Sequence, residues 1–251
     1  MPRDKSAILT YHSLDTTGSA ISIHPALFRM QMDSLARSRT PVTPLLEVQR
    51  HPGSVALTFD DGYLNFFEHA LPVLLEHRFP ATVFVVTGYC GLHNEWRSSQ
   101  RRPVRLALMG WEQLREAARL GIQLGAHTVH HPNLPALSEG EVERELRDCR
   151  ASLEDQTGQA VQTFAYPYGA WNPPARIAVS REFRLGCGTA LGFVDSRSDS
   201  FVLPRIDVMF RRQPWWFPRL MSPPSQVYLA AQRWRSKASE LERIQGREGA
   251  K

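Results

Sequence analysis

At 251 residues, with 42% hydrophobic and 22% charged positions, the chain can bury one sizeable core and lacks the bias of a disordered, collagenous or membrane-spanning sequence. Cys90, Cys149 and Cys187 are odd in number and far apart, which gives no disulfide framework and no CxxC zinc site and leaves buried structural thiols. The net charge of +5 belongs to the end of the chain: from Arg211 onward seven Arg and two Lys face three Glu, a balance of +6 that leaves the first 210 residues at −1. The body therefore carries no basic stripe for nucleic acid.

The opening MPRDKSAILTYH is charged and then only briefly apolar, without the apolar centre of a secretory leader. No stretch nears the roughly 20 apolar residues of a membrane span, so a cytoplasmic location is expected. Strands are expected at 6–11, 54–59, 81–87, 123–126, 163–166 and 202–208, and helices at 25–38, 64–77, 111–120, 138–157 and 173–182. Ser138 followed by Glu141 has the form of a capping box. Residues 88–103, GYCGLHNEWRSSQRRP, read as a long polar loop. Strands alternating with helices imply βα units and a mostly parallel sheet, closed or nearly so.

The body is expected to span 1–210, with 211–251 as a separate tail. Residues 211–220 are basic, aromatic and broken by proline, and Val227, Ala230, Ala231, Trp234, Ala238, Leu241 and Ile244 then follow at helical spacing. Two roles stay open for that amphipathic helix: closing the barrel by packing on it, or peripheral contact with a membrane surface.

Two segments carry the chemistry, Thr58-Phe59-Asp60-Asp61-Gly62 and His127-Thr128-Val129-His130-His131. They offer two adjacent carboxylates and imidazoles four residues apart, enough to hold one divalent metal and keep a carboxylate in reserve. Neighbouring side chains of extended backbone diverge, so Asp60 and Asp61 cannot point the same way. His127 and His131 can face one point if the segment is a helical turn, and His130 competes for the second position. The plain alternative for Asp60-Asp61-Gly62 is a turn with solvated acids. Chemistry gathers where the strands of an α/β barrel end. His12, Asp60-Asp61, His127 and Tyr168-Gly169 all follow expected strands, and Arg205 and Asp207 lie in the last one.

Together with Phe164-Ala165-Tyr166-Pro167-Tyr168-Gly169, these segments resemble the first three motifs of the polysaccharide deacetylases, the NodB-homology carbohydrate esterases. The resemblance runs from about Ala7 to Val208. It implies a distorted (β/α) barrel of about seven parallel strands in a single domain, and removal of an acetyl group from an N-acetylated sugar. It also implies Asp61, His127 and His131 as ligands of one divalent metal ion, Zn²⁺ before Co²⁺ or Ni²⁺. Asp60 would be the general base, and the backbone N–H of Tyr168 would meet the oxyanion.

Two departures stand out. The third-motif Arg is replaced by Ala165, and no histidine follows Asp207 to supply the general acid of the usual late Leu-x-His motif. Leu9-Thr10-Tyr11-His12 has the character of that motif moved to the other end of the chain. In this the sequence resembles the circularly permuted branch that includes poly-N-acetylglucosamine deacetylases, with His12 as the acid. Arg205 is expected to replace the missing Arg beside Asp60, and Asp207, on the same strand face, to pair with Arg205 or His12; a plain Arg205–Asp207 surface pair is the alternative. The expected partner is a carbohydrate and not nucleic acid. Two other functions remain open: a deformylase or other amidase acting on a lipid-linked amino sugar or a cyclic imide, and a catalytically silent carbohydrate binder. The intact Asp60, Asp61, His127 and His131 speak against the second. His69 and His77 read as surface residues of the helix after the first motif.

Overall fold

The computed structural model describes residues 4–96, 104–211 and 217. In chain order the elements are β1 (Ala7–Tyr11), β2 (Ser13–Leu14), β3 (Ser22–Ile23), α1 (Pro25–Ser38), β4 (Val55–Phe59), α2 (Leu71–His77), β5 (Ala81–Val85), α3 (Trp111–Arg119), β6 (Gln123–Ala126), α4 (Glu139–Thr157), β7 (Thr163–Ala165), α5 (Pro173–Glu182), β8 (Leu185–Leu191) and β9 (Leu203–Asp207). Seven of the strands close a parallel barrel in the order β1-β4-β5-β6-β7-β8-β9, while β2 and β3 form a small separate pair.

The strands are apolar on both faces because both faces are covered. Ile8, Ala56, Phe84, Ala165, Cys187 and Leu203 form one buried cluster, and alternate residues such as Leu9, Leu57, Val83, Leu124, Phe164 and Ile206 belong to a second. This alternation assigns the first set to the barrel interior and the second to the layer under the helices. Closure sets β1 between β4 and β9, with Leu9 opposite Leu57 on one side and Ile206 on the other. The first and last barrel strands are therefore neighbours.

The expected strands and helices are present, with three differences. One barrel strand, β8, is not among the six that the sequence leads one to expect, because LGCGTAL has two glycines and little β-branched character. Its Gly186 is required by packing: a Cβ there would stand 2.5 Å from the carbonyl oxygen of Phe201. The single helix expected over 64–77 is a π-turn, Phe66–Ala70, followed by α2. Pro72 has no N–H to donate to the preceding turn, which breaks the regular ladder. The small β2–β3 pair also carries no pattern long enough to read.

At the head of α4 the Glu141 carboxylate accepts from the Ser138 N–H at 2.8 Å, the half of the capping box that its side chain supplies, while the Ser138 hydroxyl also donates to it at 2.6 Å. Cys149 and Cys187 are buried and Cys90 is half-buried. His69 is exposed, but His77 is half-covered, meeting Asp33 at 3.0 Å and stacking on Phe79. The expected helix at 227–244, and with it the choice between packing and membrane contact, lies outside the described residues. Phe217 is buried in the layer under the helices. Among the described residues no helix is long and apolar enough to cross a membrane.

Candidate active site

The two carboxylates at the end of β4 are sent to different partners by one backbone rotation. Asp60 remains tied to the barrel rim, its N–H donating to the carbonyl of Tyr11 at 2.9 Å. Asp61 takes a left-handed conformation with φ 72°, uncommon outside glycine, which separates its side chain from that of Asp60.

Asp60 faces Arg205. Both guanidinium NH groups donate to the carboxylate, each at 2.7 Å, and the pair is buried. Arg205 follows Leu203 by two residues on β9, so its side chain enters the barrel. There it passes 5.7 Å from the centre of the Phe84 ring, and its Nε donates to the carbonyl of Gly188 at 2.8 Å. Burial pushes the Asp60 carboxyl up, but Arg205 outweighs it and holds Asp60 below the usual carboxylate range.

Asp61 faces the histidines. The Nε2 atoms of His127 and His131 lie 3.4 and 3.5 Å from its Oδ1. One ligand atom from each of the three residues can be chosen within 4.8 Å of the others. The segment that brings the rings together is not the helical turn considered above. Thr128 and His131 are left-handed, at φ 70° and 55°, and the Thr128 hydroxyl accepts the His131 N–H at 2.9 Å. His127 is fixed from behind, its Nδ1 2.7 Å from the carbonyl of Ala165. That contact makes Nδ1 the protonated nitrogen and turns the Nε2 lone pair toward Asp61. His130, the competing ligand, points outward to Glu145 at 2.7 Å.

Burial lowers the His131 pKa to about 3 and so keeps that ring neutral, as a metal ligand must be. Burial also disfavours a charged His127, but the Asp61 and Asp60 carboxylates beside it prevail and raise its pKa. One carboxylate and two imidazoles fit a divalent cation, and three protein ligands leave coordination positions open for reactants.

His12, at the end of β1, has its Nε2 3.9 Å from Asp60 Oδ2, and its buried Nδ1 has no hydrogen-bond partner among the described residues. Tyr168 sits at φ 58° in the turn after β7, its ring 4.5 Å from that of His131. The following Gly169 is obligatory, since at φ 66° an added Cβ would fall 1.9 Å from the Thr189 hydroxyl. Asp207 does not make the expected pair: among the described residues it forms no ion pair with Arg205 or His12. The strand ends there, and Asp207 Oδ1 instead accepts the N–H of Met209 at 2.8 Å.

His12, Asp60, Asp61, His127, His131 and Tyr168 line a single cleft of about 140 Å³. Sites that engulf a whole ligand usually hold about 300–1,000 Å³. This one suits a substituent of a larger molecule lying across the barrel mouth. The cleft also includes residues that the sequence reading did not select. Tyr63 directly follows the first motif, and its buried hydroxyl accepts from Asn94 Nδ2 at 3.3 Å. Asn94 and Trp96 belong to the polar loop, where Trp96 packs 4.7 Å from the His131 ring. Tyr63 is signalled by its adjacency to the first motif, but only folding shows that the loop carrying Asn94 and Trp96 returns over His131.

The polysaccharide deacetylase family profile matches residues 47–184. YxkH of Bacillus subtilis is 26% identical over 213 residues, covering 81% of this chain and 71% of YxkH. A poly-β-1,6-N-acetyl-D-glucosamine N-deacetylase of Staphylococcus aureus is 27% identical over 164 residues, covering 61% of this chain and 53% of that protein. The chain thus spans about half the length of the staphylococcal relative. Among solved structures, the Streptococcus pyogenes deacetylase PplD in complex with acetate superposes with a TM-score of 0.77 at 25% identity, over 87% of this chain and 99% of PplD.

Proposed function

This chain belongs to the polysaccharide deacetylase family, whose members hydrolyse N-acetyl amide bonds, and from that premise we propose that it deacetylates N-acetylglucosamine-type units of an oligo- or polysaccharide with one Zn²⁺ ion. The observation that carries this reading is the division of two adjacent carboxylates, Asp60 to an arginine and Asp61 to two histidines, within one cleft.

Asp61, His127 and His131 would hold the cation. A bound divalent cation supplies a lowered water pKa and a polarised amide carbonyl. Asp60, kept ionised by Arg205, would accept the proton of the attacking water; a carboxylate held below the usual range is a weak base and needs that water acidified. The Tyr168 backbone N–H would meet the developing oxyanion, a contact worth about 2.7–4 kcal/mol in comparable sites. His12 would protonate the departing amine. The narrow cleft would take the acetamido arm while the sugar chain stays outside. The staphylococcal relative's named substrate, a β-1,6-linked N-acetylglucosamine polymer, fits this reading.

The test is amine release from N-acetylglucosamine oligomers by metal-stripped and Zn²⁺-loaded protein, with an N-formyl sugar in parallel. Expected are one equivalent of metal, its loss in His127→Ala, and deacetylation only by the loaded protein. Preference for the formyl substrate would replace the proposal with a deformylase. For His12→Ala, retained metal with lost turnover is expected, whereas full activity would remove His12 from the acid role.

A further inference from the structure

His130, the histidine left out of the ligand set, turns away from the cleft and meets Glu145 of α4. The same carboxylate does more than hold a ring. Its Oε2 accepts the backbone N–H of Val129 at 2.8 Å and that of His130 at 3.0 Å, while Oε1 lies 2.7 Å from His130 Nδ1. The flanking N–H groups are satisfied differently, that of His127 by the carbonyl of Val85 and that of His131 by the Thr128 hydroxyl. On the opposite side, the N–H groups of Thr87 and Gly88 donate to the carbonyls of Thr128 and Val129 at 3.2 and 2.9 Å. Segment 127–131 is therefore gripped between the main chain after β5 and one side chain of α4.

This segment needs such a grip. Thr128 and His131 both hold left-handed backbone conformations, each costing on the order of 1–3 kcal/mol, which persist only where the surroundings over-determine them. The two N–H groups bound by Glu145 lie between these two residues. An ionised carboxylate is a strong acceptor for paired N–H groups, and the Glu145 side chain is only 14% exposed. Glu145 does not line the cleft and has no place among the ligands or the acid–base groups.

We propose that Glu145 is a positioning residue for the metal-ligand pair: by holding segment 127–131 in its strained turn, it makes His127 and His131 converge on Asp61 and so sets the affinity for the cation. The proposal rests on the metal-hydrolase reading above. His130, with its exposed ring, braces the Glu145 carboxylate from the solvent side.

The decisive measurement is Zn²⁺ affinity of the metal-stripped full chain, by competition with a chromogenic chelator, for the unaltered protein, Glu145→Ala, Glu145→Asp, Glu145→Gln and His130→Ala. Affinity should fall by about 10–100-fold in the Ala variant and in the Asp variant, whose carboxylate is one methylene short of both N–H groups. It should stay within about threefold in Glu145→Gln, whose amide oxygen still accepts both N–H groups, and in His130→Ala. Unchanged affinity in Glu145→Ala would overturn the proposal, as would a Gln variant as weak as the Ala one. If Glu145→Ala fails to fold by circular dichroism, the Asp variant decides on the same criterion. Absence of Zn²⁺ binding by the unaltered chain is a different failure, that of the metal reading itself.

Discussion

A guanidinium sealed inside a barrel is costly unless it is paired, and Arg205 meets that condition through its two bonds to Asp60. Removing one partner leaves the other charge buried and alone. Arg205→Met should therefore lower unfolding free energy by about 3–5 kcal/mol, read from urea denaturation. The pH profile should move as well. Burial pushes the Asp60 carboxyl up and Arg205 brings it down below the usual range. Without Arg205 burial prevails, the carboxyl titrates higher, and ionised Asp60 persists only at higher pH. In Arg205→Lys, which keeps charge but loses the fork, the acidic limb of kcat/KM should shift upward. A limb that stays in place would disconnect Asp60 from proton removal. Gly169 admits an equally direct trial. Gly169→Ala forces a Cβ into Thr189 at positive φ and should cost more than about 1 kcal/mol, with reduced turnover because Tyr168 is displaced.

At the scale of elements, the side chains that line the cleft come from strand ends and are aimed by the turns that follow. Of the six left-handed non-glycine residues among the described ones, Arg39 and Arg78 end helices and the other four, Asp61, Thr128, His131 and Tyr168, line or brace the cleft. The strain is concentrated where two side chains must be turned toward one point. Away from the cleft, α5 is tied to the β8–β9 connection by Arg176, whose Nε and NH2 groups donate to Asp199 at 2.6 and 2.9 Å. The hydrogen bond from Arg176 is the chief reason that the Asp199 carboxyl lies below its ordinary value. The folded state therefore gains from this pair above the unfolded carboxyl pKa of about 4, and the gain disappears as pH falls through the lower folded value. Arg176→Ala should lower Tm slightly at pH 7, since an ion pair this exposed contributes under about 1 kcal/mol, and the difference should shrink as pH falls below about 4 and vanish below the folded value.

For the whole molecule, barrel closure makes the order of the chain partly irrelevant to the site. β1 lies between β4 and β9, so His12 reaches the cleft from the strand beside the one that carries Arg205. A rearranged chain in which residues 4–19 follow residue 211 through a flexible linker should keep the far-ultraviolet circular dichroism and Zn²⁺ affinity of the parent. The linker needs at least a dozen residues, because β9 and β1 are parallel and require a crossover. Loss of metal binding with the fold retained would show that chain order does matter to the site.

The βα alternation was legible from apolar patterning, which is local in the chain. The proposed ligand set and the proposed acid on the first strand followed instead from the resemblance of short motifs to a family, spacing alone leaving His130 in competition with His131. The partner of Asp60 was legible as an expectation for Arg205, since a missing charge in one motif leaves a need that another strand must meet. Tertiary structure alone decided the rest. β8 emerged because its glycines and small side chains suit close packing rather than any period. Asp207 turned to cap the end of its strand, Trp96 and Asn94 folded back over the histidines, and Glu145 gripped the ligand segment from a helix 14 residues beyond His131. Apart from the local Asp207–Met209 bond, these outcomes depend on contacts between residues well separated in sequence. A one-dimensional pattern can name the groups that do chemistry, but only closure of the barrel fixes which of them share a cleft and what holds them there.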